Sequence, residues 1–574
     1  MRGAVLHWVP AFHKPRSARY SATCGVVQSM ATAEVMREGR ALCAHAGAAV
    51  AFWTWRRQAL ALGVLVVLGL ALRYAFVAEN FVVSPDSVEY LRAAQAIERD
   101  GLSAVRSSVR QPLYPMVLWA AGALAERAVP DFGWTGAQMA EVGRWAGIVL
   151  YVPFLIAVWL FSRRLAGKGL GLWCVAAVIV YPLFGFYFAN VLSETLYLAC
   201  FILALLCLVN ACDEAGVGTR RWAWALAAGA AAAVSFLVRV EGQVLVAAGL
   251  AYLAGRTLAR RSAMWPAVKQ ALSRAGMLGA GYAAVALPLV FYTGASAQRY
   301  SWEWLWHKLT AAPSLSSSGI CGGAVFAAIG LAAAPHAALW MFVKTIATRG
   351  AEVLIPVIGA FSYHAIQRAR GGKGVLPQGY GVVLVTFGVY VAAIVAGASI
   401  QNGAVSYRYV EPIIIMLLPV GVLFSALVMD VLPYGRWFVK IVSVPVFVGA
   451  FYGAAWDWEN YKTGFRDAGL AIAARGSGSA ARVLTTNSRI LFYSDASGGV
   501  IDPRRMASEI RAARTGGYDF VALEVKDYAP DDFLAMGAAL EKGGFGTALA
   551  FRFKEDGVPE HSARTVIVYR RGAA

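Results

Sequence analysis

Charged side chains are scarce in this sequence, and acidic ones are the scarcest. Asp, Glu, Lys and Arg make up 15% of the 574 residues, and 52 Lys and Arg residues outnumber 33 acids to give a formal net charge of +19. Hydrophobic residues reach 59%, and the mean hydropathy is +0.57. Such a composition lies far outside the range of soluble globular proteins. The sequence therefore predicts an integral membrane protein.

Cysteine and histidine are also rare, with seven residues of each. By the topology derived below, only Cys321 is clearly in an outward segment, so no disulfide framework is implied. The histidines are scattered, with no His-x3-His or similar spacing, and the cysteines show no paired metal-ligand spacing. The sequence thus predicts no metal site and no cofactor, but it leaves dependence on a divalent metal open.

Long apolar runs, in contrast, are abundant. Runs of about 17 to 25 residues are long enough to cross a bilayer as helices. The 222–254 region is the least regular of them, because Arg239 and Glu241 interrupt it. The sequence predicts eleven spans, at 59–78, 144–162, 169–188, 192–210, 222–238, 240–254, 276–293, 341–365, 379–398, 410–430 and 438–455.

The basic residues are sorted by loop and do not form one patch, which argues against a nucleic-acid partner. They occupy alternate loops, as the positive-inside rule describes for cytoplasmic segments. This pattern predicts a plasma (inner) membrane protein with its N-terminus inside and with 79–143, 294–340, 399–409 and everything after about 456 outside. The inner residues are Arg56, Arg57, Arg163, Arg164, Lys168, Arg220, Arg221, Arg256, Arg260, Arg261, Lys269, Arg274, Arg368, Arg370, Lys373, Arg436 and Lys440.

Three parts follow from the composition along the chain. Residues 1–55 are polar and lack an apolar core for a signal peptide, so they are either disordered or follow a misplaced start, with Met30 as one candidate for the true one. Residues 56–456 hold the spans. Residues 457–574 have the composition of a small soluble α/β domain that serves as a scaffold or binds the acceptor. Its strands are predicted at 482–486, 518–525 and 564–569, and its helices near 503–514 and 531–543.

A short acidic stretch follows the first predicted span, at the membrane edge. Ser84 suits a helix N-cap with Pro85 at the first helical position, and apolar residues then recur at helical spacing. The stretch is typical of an amphipathic helix in the membrane surface. It would hold Asp86 and Glu89 at the outer interface, where a lipid-borne and a water-soluble substrate can meet. A second piece, from 110 to 124, is predicted to lie against the membrane and to be partly re-entrant.

Three tryptophans alternate in an outward loop, at Trp302, Trp304 and Trp306. They form either an interfacial aromatic belt or a platform over the site that stacks on a sugar or an isoprenoid head. His307 and Lys308 follow directly and are further candidates for substrate binding.

Five local patterns follow one another along the chain. They are Leu72-Arg73 closing the first span, Asp86-x-x-Glu89-Tyr90, Gln111-Pro112-Leu113-Tyr114-Pro115, Ser193-Glu194 opening a later span, and Tyr407-Arg408-Tyr409-x-x-Pro412. Their order, side and spacing resemble the GT-C class of membrane glycosyltransferases, in particular dolichyl-phosphate-mannose protein mannosyltransferases and aminoarabinose transferases, over roughly residues 59–574. Many members place two adjacent acids in the first outer loop. Here Ser87 follows Asp86, so Glu89, one turn along, would have to act as the second carboxylate.

The resemblance implies a fold of about 11 transmembrane helices and a single inverting displacement that moves a sugar from a polyprenyl-phosphate donor to an acceptor. That transfer needs a base for the acceptor's proton and cations for the departing phosphate. Asp86 is the predicted base, kept ionised by a nearby arginine, or else it only stabilises its helix N-terminus. Arginine can bind phosphate bidentately. The predicted phosphate- and substrate-binding residues are Arg408, Arg239, Arg110, Arg73, Tyr90, Tyr114 and Glu194, besides His307 and Lys308.

Several alternatives remain open at this stage. Each arginine could instead snorkel or be solvated in a loop, Arg239 could pair with Glu241, and Glu194 could orient a sugar hydroxyl or only cap its helix. The rival function is a lipid-linked sugar flippase or a secondary transporter, which should show internal repeats and polar or broken helices at the bilayer midplane. A third possible function is that of a GT-C relative that only binds lipid-linked sugars. The acceptor can be a protein, a lipid or a glycan.

Overall fold

Apolar helices make up the described chain as far as residue 431. The structure is a computed structural model that describes residues 55–79, 83–107, 110–213, 218–259, 264–293, 358, 379–400, 407–431, 463–476, 481–501, 517–524, 537–553 and 564–572. The chain divides into two compact units, Met1–Arg57 and Gln58–Ala574. The predicted spans at 341–365 and 438–455 lie outside the described residues, apart from residue 358.

Twelve helices are described in this part of the chain. They are α1 Trp55–Glu79, α2 Pro85–Asp100, α3 Leu113–Ala128, α4 Gly136–Ala166, α5 Leu170–Val180, α6 Pro182–Ala189, α7 Glu194–Ala211, α8 Gly218–Val238, α9 Val244–Ala259, α10 Met264–Thr293, α11 Tyr380–Ile400 and α12 Glu411–Val431. Short 3₁₀ turns lie at Gly101–Ser107, Val240–Gln243 and Tyr407–Tyr409.

Among the described residues, five helices are long and apolar enough to cross a membrane, within α1, α4, α7, α8 and α10. α1 shows why a bilayer is required, since Leu60, Val64 and Val67 on it are 71%, 61% and 66% exposed. Each such side chain would cost about 1 to 3 kcal/mol to leave in water, whereas hydrocarbon chains accept it. The helical membrane fold is therefore confirmed for the described part of the chain.

Two predicted spans differ from the structure. The predicted span 169–188 is two helices, because Pro182 has no N–H to donate and disfavours a helical residue before it; Tyr181 is accordingly extended, with ψ 119°. The predicted span 240–254 begins as a 3₁₀ turn and continues as the 16 residues of α9. At 1.5 Å per residue α9 is about 24 Å long, which is short of the ~30 Å hydrocarbon core.

The helix that follows α1 begins as its sequence predicts. Ser84 caps α2, its Oγ accepting from the Ser87 N–H at 3.2 Å, and Pro85 takes the first helical position. The apolar face of α2, which includes Val88 and Leu91, is buried against the bundle. The predicted cap and amphipathic pattern therefore place Asp86 in the first turn of a helix whose other face is anchored.

A five-stranded sheet lies in the C-terminal part of the chain. Its elements are α13 Thr463–Arg475, β1 Arg482–Thr485, α14 Ser488–Tyr493, β2 Ser497–Val500, β3 Phe520–Glu524, β4 Phe545–Phe553 and β5 Arg564–Arg571. The order is β2-β1-β3-β5-β4, with β1 parallel to β2 and β3, and β5 antiparallel to β3 and β4.

The three strands predicted from the sequence correspond to β1, β3 and β5. The sequence pattern does not predict β2, whose Ser-Gly-Gly-Val has little strand propensity. It also does not predict β4, where the register shifts between Thr547 and Leu549. The predicted helix at 503–514 lies outside the described residues. Of the one at 531–543, residues 537–541 are described and helical.

Candidate active site

Four chain segments meet where helices begin or end at one end of the bundle. Asp86 lies in the first turn of α2 and Glu194 in the first turn of α7. Arg408 lies in the 3₁₀ turn before α12, and Arg239 follows the last residue of α8. Although they are far apart in sequence, ion pairs connect their side chains. Their meeting point is the candidate active site.

Asp86 lies between two guanidinium groups. Arg110 Nη2 donates to its Oδ1 at 2.9 Å, and Arg408 Nη1 donates to its Oδ2. Burial by itself would raise the pKa of Asp86, but the charges and hydrogen bonds of Arg408 and Arg110 outweigh it and hold that pKa below its usual value. The carboxylate is thus ionised at neutral pH, and an ionised carboxylate can accept a proton.

Arg110 also binds the second acid of α2. Its Nε donates to Glu89 Oε2 at 2.5 Å, and its guanidinium lies 5.3 Å from the centre of the Tyr90 ring. Ser87, which takes the position of the adjacent acid in many GT-C enzymes, is completely buried, and its backbone and side chain face Ser84. Glu89 therefore supplies the second carboxylate beside Arg110.

A second group of ion pairs surrounds Glu194, which is 2% exposed. Arg239 Nη1 donates to Glu194 Oε1 at 2.6 Å, and Arg408 Nε lies 3.6 Å from the same oxygen. Arg239 also contacts Glu241 at 3.0 Å. Arg239 thus pairs with Glu241, as one alternative from the sequence had it, and with Glu194 at the same time. Arg408 is the link that joins the carboxylates of Asp86 and Glu194.

We call these seven side chains the charge cluster; it contains one more carboxylate than guanidinium. Its members are Asp86, Glu89, Glu194, Glu241, Arg110, Arg239 and Arg408.

Two buried tyrosines support the charge cluster. The Tyr90 hydroxyl lies 2.8 Å from Ser193 Oγ, which donates to Glu194 Oε2 at 3.3 Å. The rings of Tyr90 and Tyr114 meet edge to face, 5.1 Å apart. Tyr90 and Tyr114 are 5% and 0% exposed. In this structure they therefore hold the neighbouring side chains in place.

Arg73, which the sequence places at the outward end of the first span, is not brought into the charge cluster. It lies six residues before the end of α1 and is 1% exposed. Its Nη2 donates to the carbonyl of Ile179 at 2.7 Å, and its guanidinium lies 5.2 Å from the Tyr151 ring centre. A carbonyl at the C-terminus of α5 favours a cation, so Arg73 joins α1 to α5. His307, Lys308 and the three alternating tryptophans lie outside the described residues.

Sequence reasoning gave no role to two buried residues. Ser193 entered only as part of a motif, and Glu411 fell between the specified positions of the Tyr407–Pro412 pattern. Glu411 is 0% exposed and lies close enough to Glu194 and Arg408 for electrostatic interaction. An acidic residue at the start of an apolar helix is unusual, and this feature of the sequence could have identified Glu411 as a candidate.

The candidate active site offers no evident metal ligand set. Within the described ranges, no group of three or more His, Cys, Asp and Glu side chains is arranged to hold a metal ion. Its carboxylates are instead separated by arginines, which suit an anionic substrate.

The C-terminal region contacts the chain just before α2 and the first residue of α4. The Tyr493 hydroxyl accepts from the Val83 N–H at 3.1 Å, and Asp495 Oδ1 accepts from the Gly136 N–H at 2.7 Å. A Cβ on Gly136 would lie 2.1 Å from the Phe492 carbonyl oxygen, so only glycine permits this contact. The α14 segment therefore reaches the residues just before Asp86.

We expect Tyr493→Phe to lower by about tenfold the sugar transfer that the resemblance to GT-C enzymes implies, because the segment before Asp86 loses its anchor and small displacements of a reacting group are costly. The lost hydrogen bond should also cost about 1 kcal/mol of unfolding free energy. Transfer rate and thermal unfolding of the full chain measure both effects. Tyr518→Phe, on a half-buried tyrosine of the sheet region, is the matched control. Equal transfer by both variants would contradict the anchoring role.

One family model matches the middle of the chain. Residues 135–273, which include Glu194 and Arg239, match the dolichyl-phosphate-mannose-protein mannosyltransferase family. No curated protein sequence matches the chain significantly.

Solved structures share the fold at low sequence identity. ArnT from Cupriavidus metallidurans bound to undecaprenyl phosphate is 13% identical, with a TM-score of 0.55 over 88% of this chain and 97% of that one. The Archaeoglobus fulgidus oligosaccharyltransferase in complex with Zn and sulfate is 12% identical, with a TM-score of 0.54 over 89% and 73%. AglB from the same organism, with an inhibitory peptide and a dolichol-phosphate, is 10% identical, with a TM-score of 0.51 over 90% and 75%.

These similarities confirm the resemblance that the five sequence patterns carry. The family match covers the middle of the helical part, and the structural matches cover most of the chain. The chain has the fold of the GT-C membrane glycosyltransferases and a mannosyltransferase family signature within it.

Proposed function

We propose that this protein is a glycosyltransferase that moves a sugar from a polyprenyl-phosphate donor to a hydroxyl or amine acceptor at the outer face of the membrane. The observation that carries the proposal is the position of Asp86 between Arg110 and Arg408. One ionised carboxylate and two phosphate-binding side chains are what the transfer needs. The fold shared with proteins that hold undecaprenyl phosphate or dolichol-phosphate supports it.

The reaction is a single inverting displacement. The acceptor oxygen or nitrogen attacks the anomeric carbon on the face opposite the phosphate, and the bond between that carbon and the phosphate oxygen breaks. The phosphate leaves with the electron pair, and the acceptor's proton passes to the Asp86 carboxylate. No covalent sugar intermediate forms.

Proton transfer and phosphate departure are coupled through Arg408. As the donor phosphodiester becomes a phosphate monoester, it gains a negative charge. At the same moment protonation removes the charge of Asp86, and its ion pairs to Arg408 and Arg110 weaken. Both guanidiniums can then pair with the phosphate, which gains a negative charge as Asp86 loses its own.

The remaining members of the charge cluster position these groups. Glu194 holds Arg408 from the other side, and Arg239 binds the same Glu194 oxygen, which leaves the second oxygen with Ser193. Glu194 also suits a sugar hydroxyl, since a buried carboxylate accepts strong hydrogen bonds. Glu89 keeps Arg110 oriented and is the alternative base. His307 and Lys308, outside the described residues, stay candidates for substrate binding.

The test is transfer of radiolabelled sugar from a panel of polyprenyl-phosphate donors to a membrane extract by the purified full chain. We expect labelled acceptor to accumulate with at least one donor, and none with heat-denatured protein. Movement of labelled donor across protein-containing liposomes without transfer would support the flippase instead. Donor binding with neither transfer nor movement would indicate a protein that only binds lipid-linked sugars.

A further inference from the structure

Glu411 is a buried acid beside the charge cluster that the proposed transfer does not use. It is the first residue of α12 and is 0% exposed. Among the described residues, neither oxygen of its carboxyl group has a hydrogen-bond partner. Most buried polar groups have such a partner, and a buried charge without one is costly. An acid in these surroundings therefore indicates a role beyond packing.

Glu194 occupies the same position in another helix, but its carboxyl group has partners. It is the first residue of α7 and is 2% exposed. Arg239 Nη1 donates to its Oε1 at 2.6 Å, and Ser193 Oγ donates to its Oε2 at 3.3 Å. Such contacts stabilise the charged form of a carboxyl group, whereas burial without them stabilises the neutral form. Of two buried acids that lie near each other, the one without such partners is the one that keeps its proton.

Stabilisation of the α12 N-terminus does not account for Glu411. An acid at a helix start stabilises the helix by accepting from a backbone N–H group or by its interaction with the helix dipole. Neither oxygen of Glu411 accepts from an N–H group among the described residues. The interaction with the dipole needs a charged carboxylate, and Glu194 is close enough to oppose that charge.

The surroundings of Glu411 connect it to the arginines of the candidate active site. Arg408 lies three residues before it, in the 3₁₀ turn that leads into α12. A charge on Glu411 would attract Arg408, which in this structure pairs with Asp86 and Glu194. The titratable and charged groups that act on Glu411 are Tyr187 of α6, Glu194 and Tyr197 of α7, Arg239 after the last residue of α8, and Arg408.

The charge cluster already has an excess of negative charge. It contains four carboxylates and three guanidiniums, and the donor phosphate would add a further negative charge. An ionised Glu411 would make a fifth carboxylate. Like charges at a partly buried site repel one another more strongly than in water. Binding of a phosphate beside Arg408 therefore favours a neutral Glu411.

We propose that Glu411 carries a proton in the folded protein and thereby leaves Arg408 to Asp86 and to the donor phosphate. This inference rests on the proposed function, since it makes Glu411 a positioning residue for the phosphate site. When the pH rises, the proton of Glu411 passes to water and the electron pair stays on the carboxylate. The new charge draws Arg408 towards α12 and repels the phosphate. The protein therefore binds polyprenyl phosphate less tightly at alkaline pH.

The test measures binding of undecaprenyl phosphate to the purified full chain in neutral detergent from about pH 7 to about pH 10, a range that includes the titration of documented buried glutamates. Glu411→Gln keeps the size and polarity of the neutral acid but cannot lose a proton. Glu126→Gln, at an exposed position of α3, is the matched control. We expect the wild type and the control to lose binding about tenfold or more at the alkaline end, and Glu411→Gln to retain it. Because variants are compared at the same pH, the ionisation of the probe itself cancels.

Infrared spectroscopy reports the proton on Glu411 without any ligand. At neutral pH we expect the C=O stretch of a protonated carboxylic acid in the wild type and in Glu126→Gln, and its loss in Glu411→Gln. In the wild type this band should disappear over the pH range in which binding weakens, a result that decides the case even if Glu411→Gln does not fold.

Two results would overturn the role of Glu411 alone. They are the absence of this band from the wild type at neutral pH, and the same pH dependence of undecaprenyl phosphate binding in the wild type and Glu411→Gln. A protein that binds no undecaprenyl phosphate at any pH would instead refute the proposed function, and with it the role that depends on it.

Discussion

Asp86→Asn is expected to lower the rate of sugar transfer at saturating donor by about 10²-fold or more, since an amide cannot take the acceptor's proton. The neutral side chain should also release Arg408 and Arg110, which it holds in ion pairs. Polyprenyl phosphate should therefore bind the variant as tightly as the wild type or more tightly. Transfer kinetics together with binding of polyprenyl phosphate measure the two effects separately.

The control for this variant is Asp100→Asn, at the exposed far end of the same helix. It removes the same charge but lies outside the charge cluster, so transfer should stay unchanged. Unchanged transfer by Asp86→Asn would exclude Asp86 as the base, and loss of transfer by Glu89→Gln alone would assign that role to Glu89. Loss of both transfer and polyprenyl phosphate binding in Asp86→Asn would make Asp86 an organiser of the arginines.

The pH dependence follows from the same ion pairs. Because Arg408 and Arg110 hold the pKa of Asp86 below its ordinary value of 3.8, the base form persists as the pH falls towards that value. Protonation of Asp86 would therefore not limit transfer above about pH 5. An acidic limb near neutral pH in the wild type would point to another titrating group as the base.

The separate members of the charge cluster could be found from the sequence, but their pairing could not. Asp86 follows from a local rule, since Ser84 and Pro85 mark a helix start and the acid falls in the first turn. The contact between Asp86 and Arg408 joins residues 322 positions apart, and no local pattern encodes such a distance. The resemblance to GT-C enzymes is what suggested that these segments meet.

Other tertiary contacts are equally hidden from local patterns. Arg73, a predicted phosphate-binding residue, donates to the carbonyl of Ile179 in α5, a contact that its position near the end of a span does not indicate. β2 was missed because Gly498 and Gly499 have low strand propensity, and pairing with β1 determines its conformation. In both cases a tertiary contact determines the local structure, and the periodicity of the sequence does not indicate that contact.

Arg408→Gln is expected to lower kcat/KM for the donor by about 10²-fold, which is the usual cost of removing one group that stabilises charge in the transition state. The guanidinium contacts Asp86 through Nη1 and Glu194 through Nε, so no single neighbour can replace it. Arg408→Lys should recover only part of the loss, because one ammonium group cannot span both carboxylates. Arg99→Gln, exposed in the last turn of α2, is the control and should transfer normally.

The two variants should differ in how they bind polyprenyl phosphate. Arg408→Gln removes a cation from the phosphate site and should weaken binding, whereas Asp86→Asn frees that cation and should not. If Arg408 acts through its ion pair with Asp86, the double variant Asp86→Asn/Arg408→Gln should lose much less transfer than the product of the single losses, as coupled residues do. Independent, multiplicative losses would mean that proton transfer and phosphate departure are not coupled through Arg408.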